Sequence, residues 1–216
     1  MSMISSVFLL RSLVFLLILM LLLLGGCAST EVLKPTGESY MQRHNDERTK
    51  LTHWQMNGKI RVKTADSSDS ANLLWQQNGQ QYRIILSGPF GQSGATIQGD
   101  PYQVQLLLPE KGAYQASTPE QLLHDYFGWN LPLSHLFYWV RTLPAPLLPY
   151  QSNLNEQQQL AQLIQDGWEI RYDRYHEALK PMLPGRMKIS KGDLQLTLVI
   201  NQWQLEPDFA QLSSFR

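Results

Sequence analysis

The sequence holds a single cysteine in 216 residues. That excludes an internal disulfide framework and any metal site built on several cysteines. It has no surplus of either charge, with 18 Lys and Arg against 18 Asp and Glu. Nucleic-acid modules usually carry a basic excess, so none is expected here. Histidine is sparse. None of His44, His53, His124, His135 and His176 stands four residues from another, and there is no HExxH, so no metal ligand set is expected. Walker A and GxGxxG motifs are absent too. Gly91-Gln92-Ser93-Gly94-Ala95 falls one residue short of the GxSxG elbow. That elbow needs a helix after its serine, whereas the following residues read as a strand. No catalytic residue is assigned. What the chain does have is apolar material: 43% hydrophobic against 17% charged residues. That composition suits a folded chain of about one domain.

The longest apolar run is Leu13 to Leu24. As a helix it would span roughly 18 Å, well short of the about 30 Å of a bilayer core. Arg11 precedes it and Gly25-Gly26-Cys27 closes it. Residues 1–26 therefore read as a secretory signal peptide. Leu24-Gly25-Gly26-Cys27 resembles the bacterial lipobox. The resemblance implies cleavage before Cys27, a diacylglycerol thioether on its sulfur and an acyl group on its new amino terminus. Ala28 follows, where Asp would imply retention at the inner membrane, so the outer membrane is implied. Losing 26 of the 216 residues leaves 190 and removes Arg11 but no acid. Two or three acyl chains anchor stably where one is marginal. Apart from that covalent lipid, no cofactor is expected.

Residues 27–38 read as a lipidated start and tether, broken by Pro35 and Gly37. Residues 39–216 read as one domain. Ser39 is placed to cap a polar helix over 39–53. From Trp54 apolar and polar residues alternate, the period of a half-buried strand. Strand pairs follow around Asn78-Gly79, Asp100-Pro101, Asp166-Gly167 and Lys191-Gly192-Asp193, the Asn-Gly suited to a type I′ turn. One partner of the Asp100 pair is expected over 102–109, and a short strand over 112–116. Thr118-Pro119-Glu120-Gln121 is a helix start with proline at its first position. That helix ends at Gly128. A second runs from Pro132 through Leu136, Phe137, Val140 and Leu143, and the prolines 144, 146 and 149 then form a stiff connection. About ten hairpin-linked strands with two or three helices predict a large antiparallel sheet curled into a barrel or half-barrel. The aromatic and aliphatic faces suit either a filled core or a hollow that holds an apolar ligand. Phe90, between Pro89 and Gly91, is an apolar residue at a turn where a polar one is expected.

Several stretches share order and spacing with one family. They are the lipobox at Cys27, Leu74-Trp75-Gln76-Gln77 running into Gln81-Tyr82-Arg83-Ile84, and Pro89-Phe90-Gly91. Leu131-Pro132-Leu133 leading to Trp139, Trp168-Glu169-Ile170-Arg171-Tyr172 and Tyr175 follow. Pro181-Met182-Leu183-Pro184 and Leu196 through Trp203 complete the set. Together they resemble the LolB family of outer-membrane lipoprotein receptors. The resemblance implies a mainly β fold: a strongly curved antiparallel sheet forming an open, incomplete barrel, with an α-helical lid over an apolar cavity. It implies a monomer that accepts acylated client lipoproteins from a LolA-type periplasmic carrier and inserts them into outer-membrane lipid, without nucleotide hydrolysis. It implies a membrane-insertion loop at Pro89, Phe90 and Gly91, with Phe90 where the family usually carries Leu.

The expected cavity liners are Ile60, Val62, Leu74, Ile84, Leu86, Leu106, Leu108, Leu123, Phe127, Leu136, Val140, Ile170, Leu196, Leu198 and Ile200. Placing Leu74 inside puts Leu73 and Trp75 on the opposite face. The alternative is an assembly lipoprotein with a filled core and protein partners.

Overall fold

Alternating side chains from His53 onward become strands because successive residues of an extended chain point to opposite faces. The structure, a computed structural model, describes residues 47–90, 93–207 and 209. The expected signal peptide, Cys27, the tether and most of the 39–53 helix lie outside the described residues, as do Gly91 and Gln92. Residues 47–50 form a helical turn and the first strand begins at His53, so the helix expected over 39–53 ends at Lys50.

Six strands come first: β1 (His53–Lys63), β2 (Ser68–Asn78), β3 (Gln81–Ser87), β4 (Ser93–Gly99), β5 (Val104–Leu108) and β6 (Gly112–Ala116). Two helices follow, α1 (Pro119–Phe127) and α2 (Leu133–Trp139). Five strands then close the chain: β7 (Tyr150–Leu154), β8 (Leu160–Gln165), β9 (Trp168–Asp173), β10 (Arg186–Lys191) and β11 (Leu194–Leu205). Each group is a meander of antiparallel neighbours. Pairing of β1 with β11 merges them into one 11-stranded sheet, ordered β6-β5-β4-β3-β2-β1-β11-β10-β9-β8-β7. The edge strands β6 and β7 do not pair with each other, so the barrel is incomplete. The two helices are the chain's passage from one edge to the other.

The sheet must be strongly curved. Helix α2 has only 7 residues. Yet its Phe137 ring lies 5.4 Å from Trp75 of β2 and 4.8 Å from Tyr82 of β3. Two residues on, Trp139 lies 6.1 Å from Trp168 of β9. Only a sheet wrapped around the helix brings both halves to so short an element.

One bend is visible in the register. Asn57 pairs with Gln202 and Gly58 with Ile200, which leaves Asn201 as the extra residue of a bulge on β11. A Cβ on Gly58 would fall on the Val199 carbonyl. Gly58→Ala is therefore expected to cost about 1–3 kcal/mol, the range for an overpacked interior. Urea denaturation checks it, and a loss below about 0.5 kcal/mol would show that β11 moves aside freely.

Four local expectations are corrected. β7 follows directly on the proline connection, at Tyr150–Leu154, where the sequence places no strand before about residue 157. β5 begins at Val104 rather than 102, because the Asp100 carboxylate accepts from the backbone N–H groups of Tyr102 and Gln103 at 2.8 and 3.1 Å and holds a turn. The β2–β3 turn is centred on Gly79 and Gln80, since Asn78 pairs with Gln81. Only Gly79 has positive φ there, 59°, so it is not type I′, whereas Asp166-Gly167 at 51° and 72° satisfies that requirement. Finally, α2 stops at Trp139 with Val140 as its C-cap, and Thr142 turns to φ 59°.

Candidate functional site

The concave face is built from the alternating positions of both meanders. Val62, Ile84, Leu106, Ile170, Leu196, Leu198 and Ile200 are buried there, with Leu123, Leu136 and Val140 from the helical segment. Ile60, Leu86, Leu108 and Phe127 are partly buried and pack against the same cluster. Leu74 is the exception and is corrected. Leu73 and Trp75 are buried, and Leu74 points to the outer face opposite Ile85. An alternating run with apolar residues at three successive positions carries no parity signal of its own. The pairing of Met56 with Trp75 sets it.

The helical segment is held inside the sheet by polar contacts. Thr118 Oγ1 caps α1 by accepting from Gln121 N at 3.2 Å. Helix α2 has no cap from its own neighbours. Instead Glu120 Oε1, on α1, accepts from Ser134 N at 2.7 Å and ties the helices together. Its charge at this helix start is favourable. Arg141, just beyond α2, donates from Nη1 to the Leu51 and Arg48 carbonyls at 2.9 and 3.2 Å, and from Nε to Phe137 O. Burial lowers the pKa of its guanidinium. Gln165 of β8 is almost wholly buried. Its Oε1 accepts from Trp139 Nε1 at 2.9 Å and from Ala145 N at 2.8 Å, and its Nε2 donates to the Ala145 and Leu148 carbonyls. Sequence reasoning passed over Gln165, Arg141 and Glu120, because no local pattern marks a polar side chain whose partners lie far along the chain.

Tyr82 sits under this segment. Its hydroxyl is buried with no hydrogen-bond partner among the described residues. Burial raises its pKa above the usual tyrosine range, and the charges of Glu120 and Asp100 add to the shift. The folded chain thus holds this proton more tightly than the unfolded chain. Its contribution is intact below about pH 10 and is lost as pH rises beyond that. Tyr82→Phe is expected to raise stability by about 1 kcal/mol at pH 7 by removing an unsatisfied hydroxyl. It should also flatten the alkaline decline above pH 10. Urea melts at pH 7 and pH 11 check both, and an unchanged alkaline decline would exclude Tyr82 as its source.

Strand polarity fixes which turns share an end of the sheet. At one end lie the turns 64–67, 109–111, 166–167 and 192–193, the turn that carries Pro89 and Phe90 after β3, and the chain leading into β7. A cavity of about 610 Å³ opens at that end, within the roughly 300–1,000 Å³ usual for ligand sites. Trp129, Leu131, Trp168 and Leu194 border it, with Thr64, Glu120, Asp166, Lys191 and Asp193 among its polar groups. Lys191 Nζ donates to Asp166 O at 2.8 Å and lies 5.7 Å from the centre of the Trp168 ring. None of the residues expected to line an acyl cavity borders this one; all of them but Leu74 belong to the packed interior beside it.

Phe90 projects at the same end, on the β3–β4 turn, and is 90% exposed. The Gly88 carbonyl at the base of this turn accepts from Asn72 Nδ2 at 2.9 Å. Pro89 is exposed as well, and Gly91 lies outside the described residues. Ser93 opens β4, so a strand follows it where a hydrolase elbow requires a helix.

Comparison with known proteins bears on this arrangement. Two proteins described as "Outer-membrane lipoprotein LolB" are close in sequence. That of Pseudomonas fluorescens is 42% identical over 185 residues, covering 84% of this chain and 90% of its own. That of Pseudomonas aeruginosa is 42% identical over 188 residues, covering 85% and 92%. In fold, the chain is similar to a solved domain from Vibrio parahaemolyticus provisionally assigned to outer membrane lipoprotein sorting. The TM-score is 0.54 at 8% identity, covering 80% of this chain and 94% of that one. The family described as "Outer membrane lipoprotein LolB" matches residues 52–203, from just before β1 to the end of the concave face on β11. The chain therefore belongs to the LolB family of outer membrane lipoproteins.

Proposed function

We propose that this chain receives acylated lipoproteins from a LolA-type carrier and releases them into the outer membrane. One observation carries the reading: a cavity and an exposed phenylalanine share one end of an open, curved sheet.

The transfer runs down an affinity gradient. Each buried CH₂ is worth about 0.8 kcal/mol, so acyl chains cannot cross water between carrier and receptor. They pass only between apolar surfaces placed mouth to mouth. The cavity at the rim is where the chains enter, and the apolar concave face behind it is where they lodge. A helix as short as α2 is marginal by itself. Its position depends on the contacts of Glu120, Gln165 and Arg141, so it can yield to an incoming chain. Phe90 acts at release, where it enters the inner leaflet.

The dense packing of Trp54, Met56, Leu106 and Trp139 is the observation that favours an assembly lipoprotein with a filled core. One experiment separates the two readings. The chain without residues 1–26 and with Cys27→Ala is mixed with a carrier–lipoprotein complex, and the holder of the client is identified. Movement of the client to this chain without nucleotide supports the receptor. Retention by a competent carrier, with this chain folded, rules it out.

A further inference from the structure

The rim of the sheet carries a second apolar projection. Leu147, in the connection from α2 to β7, is 102% exposed, and Leu148 beside it is also exposed. Leu147 has φ 65°, the left-handed region that side chains other than glycine avoid. A leucine in that conformation with its side chain wholly in water stabilises nothing in the isolated fold. The loop is nonetheless rigidly placed. Buried Gln165 grips it at three points, the Ala145 N–H, the Ala145 carbonyl and the Leu148 carbonyl, at 2.8, 2.9 and 3.2 Å. Pro144, Pro146 and Pro149 stiffen it further.

We infer that the Leu147-Leu148 loop is a second membrane-contacting element, which enters the lipid surface together with the Phe90 loop. The inference rests on the reading of Phe90 proposed above and extends it to a two-point contact. Its position supports this. Along the rim, the turns 64–67, 192–193 and 166–167 lie between the two projections. Thr64, Asp193 and Asp166 of those turns border the cavity. The two loops thus flank the mouth, and contact at both would turn it toward the bilayer.

The chemistry of the loop favours lipid over protein as its partner. From Leu143 to Tyr150 there is no charged residue. Three prolines remove three backbone N–H groups that would lose water on entering the lipid interface. Phe90 follows a proline in the same way. Two leucines offer far less than the about 800 Å² per partner of a stable protein interface, whereas a bilayer takes up single apolar side chains.

The test uses the mature lipidated chain in vesicles of phosphatidylethanolamine and phosphatidylglycerol. Leu147→Cys supplies a thiol for an environment-sensitive fluorophore, with the unsubstituted chain as blank. Phe90→Cys and Gln80→Cys, the latter at the opposite end of the sheet, are labelled in parallel. Lipid-borne nitroxide is expected to quench the label at positions 147 and 90, and to leave position 80 unaffected. Quenching at 90 but not at 147 would overturn the inference and leave the proposed function standing. Quenching at neither would remove the membrane role of Phe90 as well. Shielding at 147 only when the carrier is added would overturn the inference in favour of a protein contact. Leu147→Gly separates this role from a structural one. It relieves the positive φ, so the melting temperature should hold or rise, while delivery to vesicles slows about tenfold, a ΔΔG of about 1.4 kcal/mol. Normal delivery by Leu147→Gly would show that the side chain has no part in the step.

Discussion

Phe90→Glu is expected to take a client from the carrier at normal yield and then fail to deliver it. In the proposed function the two steps use different surfaces. Acceptance would use the cavity and the apolar face behind it, and Phe90 borders neither. Delivery would use the exposed turn. Burying a phenylalanine is worth about 1.5–3 kcal/mol, and a carboxylate at the same place opposes burial instead. Losing the apolar term alone slows a step that depends on it by roughly 10- to 100-fold. The fold should be unaffected, because a side chain 90% exposed contributes little to the core. The measurement is a two-stage assay: client bound after mixing with the carrier, then client in vesicles with time. Phe90→Leu should deliver at nearly the normal rate, since it keeps the apolar tip. Delivery by Phe90→Glu at the normal rate would leave the turn without a function.

Gln165→Leu is expected to destabilise the fold by about 3–4 kcal/mol, although leucine is similar in size and more apolar. Four groups would lose their partners: Trp139 Nε1, Ala145 N, and the Ala145 and Leu148 carbonyls. Each buried group left unsatisfied costs about 1–3 kcal/mol, and such costs are not additive within one network. The indole N–H belongs to α2, so the same change frees the end of that helix. The remaining folded protein should therefore accept a client faster, while the Leu147 loop loses its fixed position. Denaturant titration gives the first effect and stopped-flow transfer the second. A loss below about 1 kcal/mol would mean that water replaces the side-chain amide at this site.

Most of the strands were readable because their period of two survives in the sequence. β1 and β11 show it over long stretches, and their inward residues are the ones that alternate. β7 was not readable. Tyr150–Leu154 is a five-residue edge strand that follows three prolines, and its evidence is a partner, β8, not a pattern of its own. The β2–β3 turn slipped by one residue for a related reason. Asn78-Gly79 suits the type I′ geometry, but the facing of Met56 with Trp75 and of Trp75 with Ile84 decides where the ladder closes. The same pairing placed Leu74 outside.

The apolar turn at Phe90 was legible as an oddity, since an apolar residue between proline and glycine has no local use. Leu147 was as unusual but was hidden among residues read only as a stiff connection. Its exposure depends on where Gln165 holds the backbone, through contacts across 17 and 20 residues of sequence.

The sequence by itself determined that this chain is an antiparallel sheet with two interposed helices, and it carried the family resemblance, because periodicity, turn residues and caps act over a few neighbours. Only the tertiary structure decided that β6 and β7 are the two unpaired edges and that polar side chains from distant elements pin α2. It alone showed a cavity of about 610 Å³ bordered by the rim turns. Those features come from register, curvature and long-range hydrogen bonds, which no short window of residues encodes.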